Sequence, residues 1–266
     1  MMAQLSPLRM ARKKNKVRHK RYQLISDDFW KAAGGRGEFP CQMEVAVLWA
    51  LPLAVIKLPR LWVLDVDAWL AKRNIEYQFR IENRALHGSL IAYRGYGFVL
   101  LNGADSDAEL RYSLAHEAAH FLLNYLRPRR KAESILGPTI LEVFDGFRPP
   151  TIQERIHSIL DGIPIGFHIH LMERNTNSML NLEAIMELED NTDMLAIEMI
   201  APENEVRCRV KRYLNNESSN KPVDIALQLL QGEFGLPQAV AEIYASRLYP
   251  AVRSSSVREW LRQKEE

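Results

Sequence analysis

Ser106-Asp107-Ala108-Glu109-Leu110-Arg111-Tyr112-Ser113-Leu114-Ala115-His116-Glu117-Ala118-Ala119-His120-Phe121-Leu122 is the stretch on which the reading of this chain turns. Ser106 with Glu109 three positions on is the capping-box pattern, and Asp105 and Asp107 put negative charge near the positive end of a helix dipole. No Gly or Pro interrupts Ala108 to Leu126, and Pro128 marks the expected stop. Leu110, Leu114, Phe121 and Leu122 recur near helical spacing. In such a helix His116 and His120 lie one turn apart on one face, where two imidazoles grip a single metal ion. Glu117 between them is placed to take a proton from an attacking water. That is the core of a zinc hydrolase. The plainer alternative is a pair of buried structural histidines.

A catalytic zinc keeps three protein ligands and one open position. The stretch from Leu188 to Pro202 reads as an amphipathic helix closed by Pro202, with Glu189 and Asp193 sharing a face at i,i+4. Glu189 is the first candidate for the third ligand. Asp193 then orients a ligand imidazole by accepting its free N–H. Asp193 is also the first substitute as ligand, and Asp190 stands behind it.

These two segments together resemble the ImmA/IrrE family of metallopeptidases. Ser113 to Leu122 is similar to that family's active-site helix. Asp193-Met194-Leu195-Ala196-Ile197-Glu198-Met199-Ile200-Ala201-Pro202 resembles its second motif. Aligned on Ala196 and Pro202, Glu189 falls on the first acidic position of that motif and Asn191 on the second, where the family pattern has an acid. The distance from His120 to Glu189 is longer than in compact members. The resemblance implies a zinc-dependent endopeptidase of the cytoplasm, binding one Zn2+ through His116, His120 and Glu189. It further implies cleavage of a partner transcriptional repressor of helix-turn-helix type, so that stress-response or mobile-element genes are switched on.

The expected reaction is metal-assisted amide hydrolysis with Glu117 as general base and then proton donor to the leaving amine. A second donor to the developing oxyanion is expected from a histidine. His170 and His168 are the candidates, and in an extended segment both project to one side. Packing is the plainer role for each.

Across 266 residues the 35 Lys and Arg nearly balance the 33 Asp and Glu, but the distribution is uneven. Residues 1–22 hold Arg9, Arg12, Lys13, Lys14, Lys16, Arg18, Lys20 and Arg21 and no acid. Setting those eight aside leaves 27 basic against 33 acidic residues, so the body is mildly acidic. The tail, residues 1–22, is expected as a disordered, solvated segment without the apolar run of a secretory signal. Two cysteines, Cys41 and Cys208, fit a reducing compartment better than a disulfide scaffold. The longest apolar run, Val45 to Ile56, contains Pro52 and is too short to span a bilayer. It reads as a core helix followed by a buried segment.

The expected fold class is α+β: a helix-rich minimal metallopeptidase core, a small β-sheet beside the His116–His120 helix, and C-terminal helices. Residues 23–205 form the peptidase domain, with a mobile or substrate-facing insert over about 127–181, and 206–266 a helix-turn-helix-like segment. Residues 23–74 read as mostly helical and 76–81 as a strand. Ser89–Tyr93 and Gly97–Leu101 read as a hairpin. Two rival functions remain. A metal-free pseudopeptidase acting by partner binding follows from Asn191. A DNA-binding regulator follows from the C-terminal segment, but Pro237–Tyr249 carries only Glu242 and Arg247 as charges. A groove-reading helix needs more donors, so neither nucleic acid nor a membrane is an expected partner.

Overall fold

The structure is a computed structural model describing residues 7–75, 77, 79, 81–156, 166–173, 183–216 and 221–250. It divides into two units, Met1–Pro202 and Glu203–Glu266. The chain is 59% helical with one small mixed sheet, the α+β class expected.

In the first unit four strands, β1 (Leu53–Leu58), β2 (Leu86–Tyr93), β3 (Tyr96–Asn102) and β4 (His168–Glu173), line up in the order β1-β3-β2-β4. The expected hairpin is β2 and β3, joined at Arg94-Gly95. Both turn residues have positive φ, 50° and 83°, as a two-residue hairpin loop requires. β1 pairs parallel to β3, and β4 antiparallel to β2. Ser89 to Ala92 are all buried, which fits a central strand covered on both faces.

The helices of this unit are α1 (Pro7–Ala32), α2 (Met43–Ala50), α3 (Val63–Ala71), α4 (Asp107–His120), α5 (Arg127–Leu136), α6 (Ile140–Phe144), α7 (Ile152–Ile156) and α8 (Glu183–Ile200). One sheet face, with Ile91 and Leu100, packs on Val63, Val66, Trp69 and Leu70 of α3. The other face receives α4, which packs on β2, β3 and β4. Two glycines let that helix approach. A Cβ on Gly88 would meet the Glu117 side chain at 3.3 Å, and one on Gly97 would meet the Phe121 ring at 3.1 Å.

Four expectations are corrected. Residues 7–22, expected as part of a disordered tail, belong to α1. The segment lacks Gly and Pro after Pro7, Lys and Arg favour helix, and Tyr22, Ile25, Phe29 and Trp30 form a buried stripe at helical spacing. Residues 23–74 are helical over 23–32, 43–50 and 63–71, just over half of their length, as expected. Val45–Ile56 splits into α2 and the first four residues of β1, and Val45, Leu48 and Trp49 of α2 are exposed rather than core. The expected strand over 76–81 lies partly outside the described residues, and Tyr77, Phe79 and Ile81 are in no strand. Pro128 does not stop the helix. A π-helical turn, Phe121–Leu126, follows α4, and Pro128 sits in the first turn of α5, where its missing N–H costs little. Gly137, at φ 84°, ends α5 instead.

The described part of the 127–181 insert is ordered structure rather than a bare loop. Ala132, Ile140, Val143 and Phe144 build a local core, and the buried Arg129 pairs with Asp145 at 2.8 Å. Residues 157–165 and 174–181 of that insert lie outside the described residues.

The second unit holds α9 (Glu203–Asn216), α10 (Pro222–Gly232) and α11 (Gln238–Leu248). α10 and α11 flank a turn at Gly235, φ 69°. The exposed side of α11 presents Gln238, Glu242, Ile243, Ser246 and Arg247.

No helix among the described residues is long and apolar enough to cross a membrane.

Candidate metal centre

Three elements of the first unit bring the chemistry together. α4 begins with the capping box of Ser106 and Glu109, both reciprocal bonds formed, and this fixes where its later turns face. His116, Glu117 and His120 are all buried. The two imidazoles meet with Nε2 atoms 3.1 Å apart. α8 supplies Glu189, whose Oε2 lies 3.4 Å from Nε2 of both His116 and His120. β4 supplies His170, whose Nε2 lies 3.4 Å from Glu189 Oε1.

Sheet register explains His170. It pairs with Leu90 of β2, and alternation turns it to the face that α4 covers. One donor atom from each of His116, His120, His170 and Glu189 lies within 4.8 Å of all the others, a group that could hold a metal ion. The donor set is the test of fit. Zinc bonds of ~2.0–2.2 Å in a tetrahedron require ligand atoms roughly 3.3–3.6 Å apart. The two separations from the α4 imidazoles to Glu189 Oε2, 3.4 Å each, fall on that edge length, the 3.1 Å between the imidazoles lies just under it, and His170 meets the other oxygen, Oε1, at 3.4 Å.

Each imidazole is tied at Nδ1 by a second group, which leaves Nε2 facing the centre. Asp193 Oδ1 lies 3.0 Å from His116 Nδ1 and also accepts from the Tyr112 hydroxyl at 2.7 Å. Asn124, on the π-helical turn, lies 2.8 Å from His120 Nδ1. Glu117 Oε2 lies 2.9 Å from His170 Nδ1. The carboxylate partners are of the kind that fix tautomer and ring orientation around a metal, while Asn124 meets His120 through its amide nitrogen and orients that ring. The other oxygen of Glu117, Oε1, is buried without a hydrogen-bond partner.

The charges interlock. Burial opposes protonation of His116, but hydrogen bonds to Asp193 and Glu189 outweigh it and raise its pKa to about 9. Burial likewise opposes at His170, where Glu117 and Glu189 prevail and raise it to about 10. At His120 burial wins, aided by the neighbouring imidazoles, and its pKa falls to about 4. Burial would raise the carboxyl groups, yet all three are held down: Glu117 by His170, Glu189 by the three imidazoles and Asp193 by His116. Without metal, two protonated imidazoles therefore stand where a dication would sit among three carboxylates.

The remaining candidates fall elsewhere. His168 shares the face of His170 but lies beside the Tyr125 ring, outside the group of four, with a buried, unpartnered Nε2. Asp190 is exposed and outside the group. Asn191 turns away from the centre and accepts a hydrogen bond from the Tyr22 hydroxyl of α1. α1 holds α8 further along through Ser26 Oγ to the Glu198 carbonyl and Trp30 Nε1 to the Met199 carbonyl. Asn124, Tyr112 and Gly88 were not singled out from sequence. The i,i+4 spacings of Tyr112 to His116 and of His120 to Asn124 were the available signals.

The side chains of Glu189 and Asp193 are 36% and 44% exposed, against 4% and 1% for His116 and His120, so the centre is reached from the α8 side. No family model matches the chain, and no curated protein matches it.

Proposed function

We propose that this chain is a zinc-dependent endopeptidase of the ImmA/IrrE type, cleaving a protein substrate in a reducing, cytoplasmic setting. The observation that carries the reading is the convergence of His116, His120 and Glu189 at tetrahedral edge spacing beside a wholly buried glutamate. The bound ion would supply Lewis-acid polarisation of the scissile carbonyl and a water acidic enough to attack near neutral pH.

Glu117 does the proton work. Its Oε1 has no partner, so it is free to take a proton from the attacking water and return it to the leaving amine. Asp193 and Asn124 hold the two α4 imidazoles with Nε2 inward. β4 is an edge strand beside the centre, with no strand on its outer side among the described residues. An extended peptide could add there by backbone pairing, which favours an internal stretch of protein over a free amino terminus.

The resemblance of the two motifs points to a helix-turn-helix repressor as the substrate. The pseudopeptidase alternative rested on Asn191. Its weight falls because that side chain faces Tyr22, while Glu189 faces the imidazoles. The regulator alternative gains nothing from α11, whose exposed side carries few base-reading donors.

The test is cleavage of a mixture of unstructured peptides by the zinc-loaded chain and by Glu117→Gln, read by mass spectrometry. The reading predicts internal cleavage by the wild type and none by the variant, with zinc retained in both. Equal cleavage by both, or no cleavage by a fully loaded wild type, contradicts it.

A further inference from the structure

The peptidase reading uses three protein ligands and leaves the fourth position to water. The geometry of His170 does not leave that position free. Its imidazole is arranged as that of His116 is: Nδ1 is tied to a carboxylate, and Nε2 faces Glu189 at 3.4 Å, through Oε1 where His116 and His120 meet Oε2. Its ring stacks on His120 at 3.6 Å between centroids, and one of its ring nitrogens lies within 4.8 Å of the donor atoms of His116, His120 and Glu189. The side chain is 17% exposed, far less than that of Glu189.

We propose that His170 is a displaceable fourth ligand, so that the resting metal centre is closed and turnover requires His170 to withdraw. This inference rests on the metal site of the peptidase reading and adds a built-in inhibition to it.

The same side chain restrains the base. The hydrogen bond that Glu117 makes is to His170 Nδ1, and its other oxygen has no partner. One movement of His170 therefore opens the coordination position and also frees the second oxygen of Glu117. The exchange is a simple ligand substitution: Nε2 leaves the ion and a water oxygen replaces it, with no change of oxidation state.

The fold permits the movement. β4 is an edge strand, held by β2 on one side, and no other strand flanks it among the described residues. His116 and His120 are buried on the last turns of α4, which runs on into the π-helical turn, and they have no comparable freedom. A four-ligand protein set is the arrangement of closed zinc sites, whereas catalytic sites keep an open position. A centre that moves between the two is a gated one. A substrate segment that pairs with the outer edge of β4 is a suitable agent for opening it.

The alternative role for His170 is an Nε2–H donor to the reacting oxygen, with water on the ion at rest. X-ray absorption at the zinc edge distinguishes the two on the full chain loaded with zinc. Azide binding to the cobalt-loaded chain, read in its visible spectrum, is the second measurement. The inference predicts three imidazoles on zinc in the wild type and two in His170→Ala. It also predicts that azide changes the cobalt spectrum of His170→Ala but not of the wild type. Two imidazoles in the wild type, or azide binding to it as tightly as to the variant, overturns the fourth-ligand assignment and leaves the peptidase reading standing. Failure of the wild type to take up either metal overturns both. The wild-type imidazole count decides the question even if His170→Ala does not fold.

Discussion

Loading the metal-free protein with zinc should expel about two protons per ion at neutral pH. The number follows from the charges around the centre. Glu117, Glu189 and Asp193 are all held in the ionised form, and His116 and His170, raised to about 9 and about 10, carry protons at neutral pH. His120, lowered to about 4, does not. Coordination through Nε2 needs the lone pairs of His116 and His170, so the dication replaces two protons and the cluster keeps its net charge. The sign is fixed: protons compete with metal, so affinity rises with pH. Well below both raised pKa values the apparent affinity should climb about a hundredfold per pH unit, roughly 2.7 kcal/mol. Calorimetric titration in buffers of different ionisation enthalpy reads the proton count directly, and chelator competition across pH reads the slope. A release near zero would refute the electrostatic reasoning, since it means the imidazoles are neutral without metal. A release near one would mean either that one of the two imidazoles is neutral without metal or that His170 keeps its proton, and the imidazole count on zinc separates the two.

Other outcomes follow from the same geometry. The metal-free protein should lose stability as pH rises. A raised imidazole pKa stabilises fully below its unfolded value of 6.5, and that stability disappears as pH passes about 9. The melting temperature of chelated protein should fall over that window while that of zinc-loaded protein holds. Gly88→Ala puts a methyl group 3.3 Å from the Glu117 carboxylate. It should leave zinc content intact and lower kcat by roughly tenfold, because small misplacements of a reacting group are costly. A kcat within twofold of wild type would contradict that contact. Ser106→Ala removes the cap of α4 and should cost about 1 kcal/mol in a denaturant melt.

Local patterns carried much of the site. Ser106 and Glu109 form the capping box that their spacing announces, and His116 and His120 meet because a helix puts i and i+4 together. Arg94-Gly95 makes the hairpin turn that separates two β-rich runs. What could not be read depends on long-range pairing or on partners elsewhere in the chain. β1 looks like the end of an apolar run until β3 pairs with it in parallel, and no local periodicity encodes that. His168 and His170 are equivalent as a sequence. Only the register of β4 on β2 puts His170 opposite Leu90 and beside Glu117. The basic character of residues 7–22 obscured the buried stripe that begins at Tyr22, and Pro128 concealed a helix that continues through a π-helical turn. Asn191 departed from an acidic pattern, and its contact with Tyr22 accounts for it as part of the brace that holds α8.

The central claim is that this chain binds a catalytic metal through α4 and α8. The most direct test is zinc content by elemental analysis of purified wild type, Glu117→Gln and Glu189→Ala. The account predicts about one zinc per chain in the wild type and in Glu117→Gln, and a large loss in Glu189→Ala. A wild type that holds no zinc after reconstitution, or a Glu189→Ala variant that holds it as firmly as wild type, would contradict the site described here.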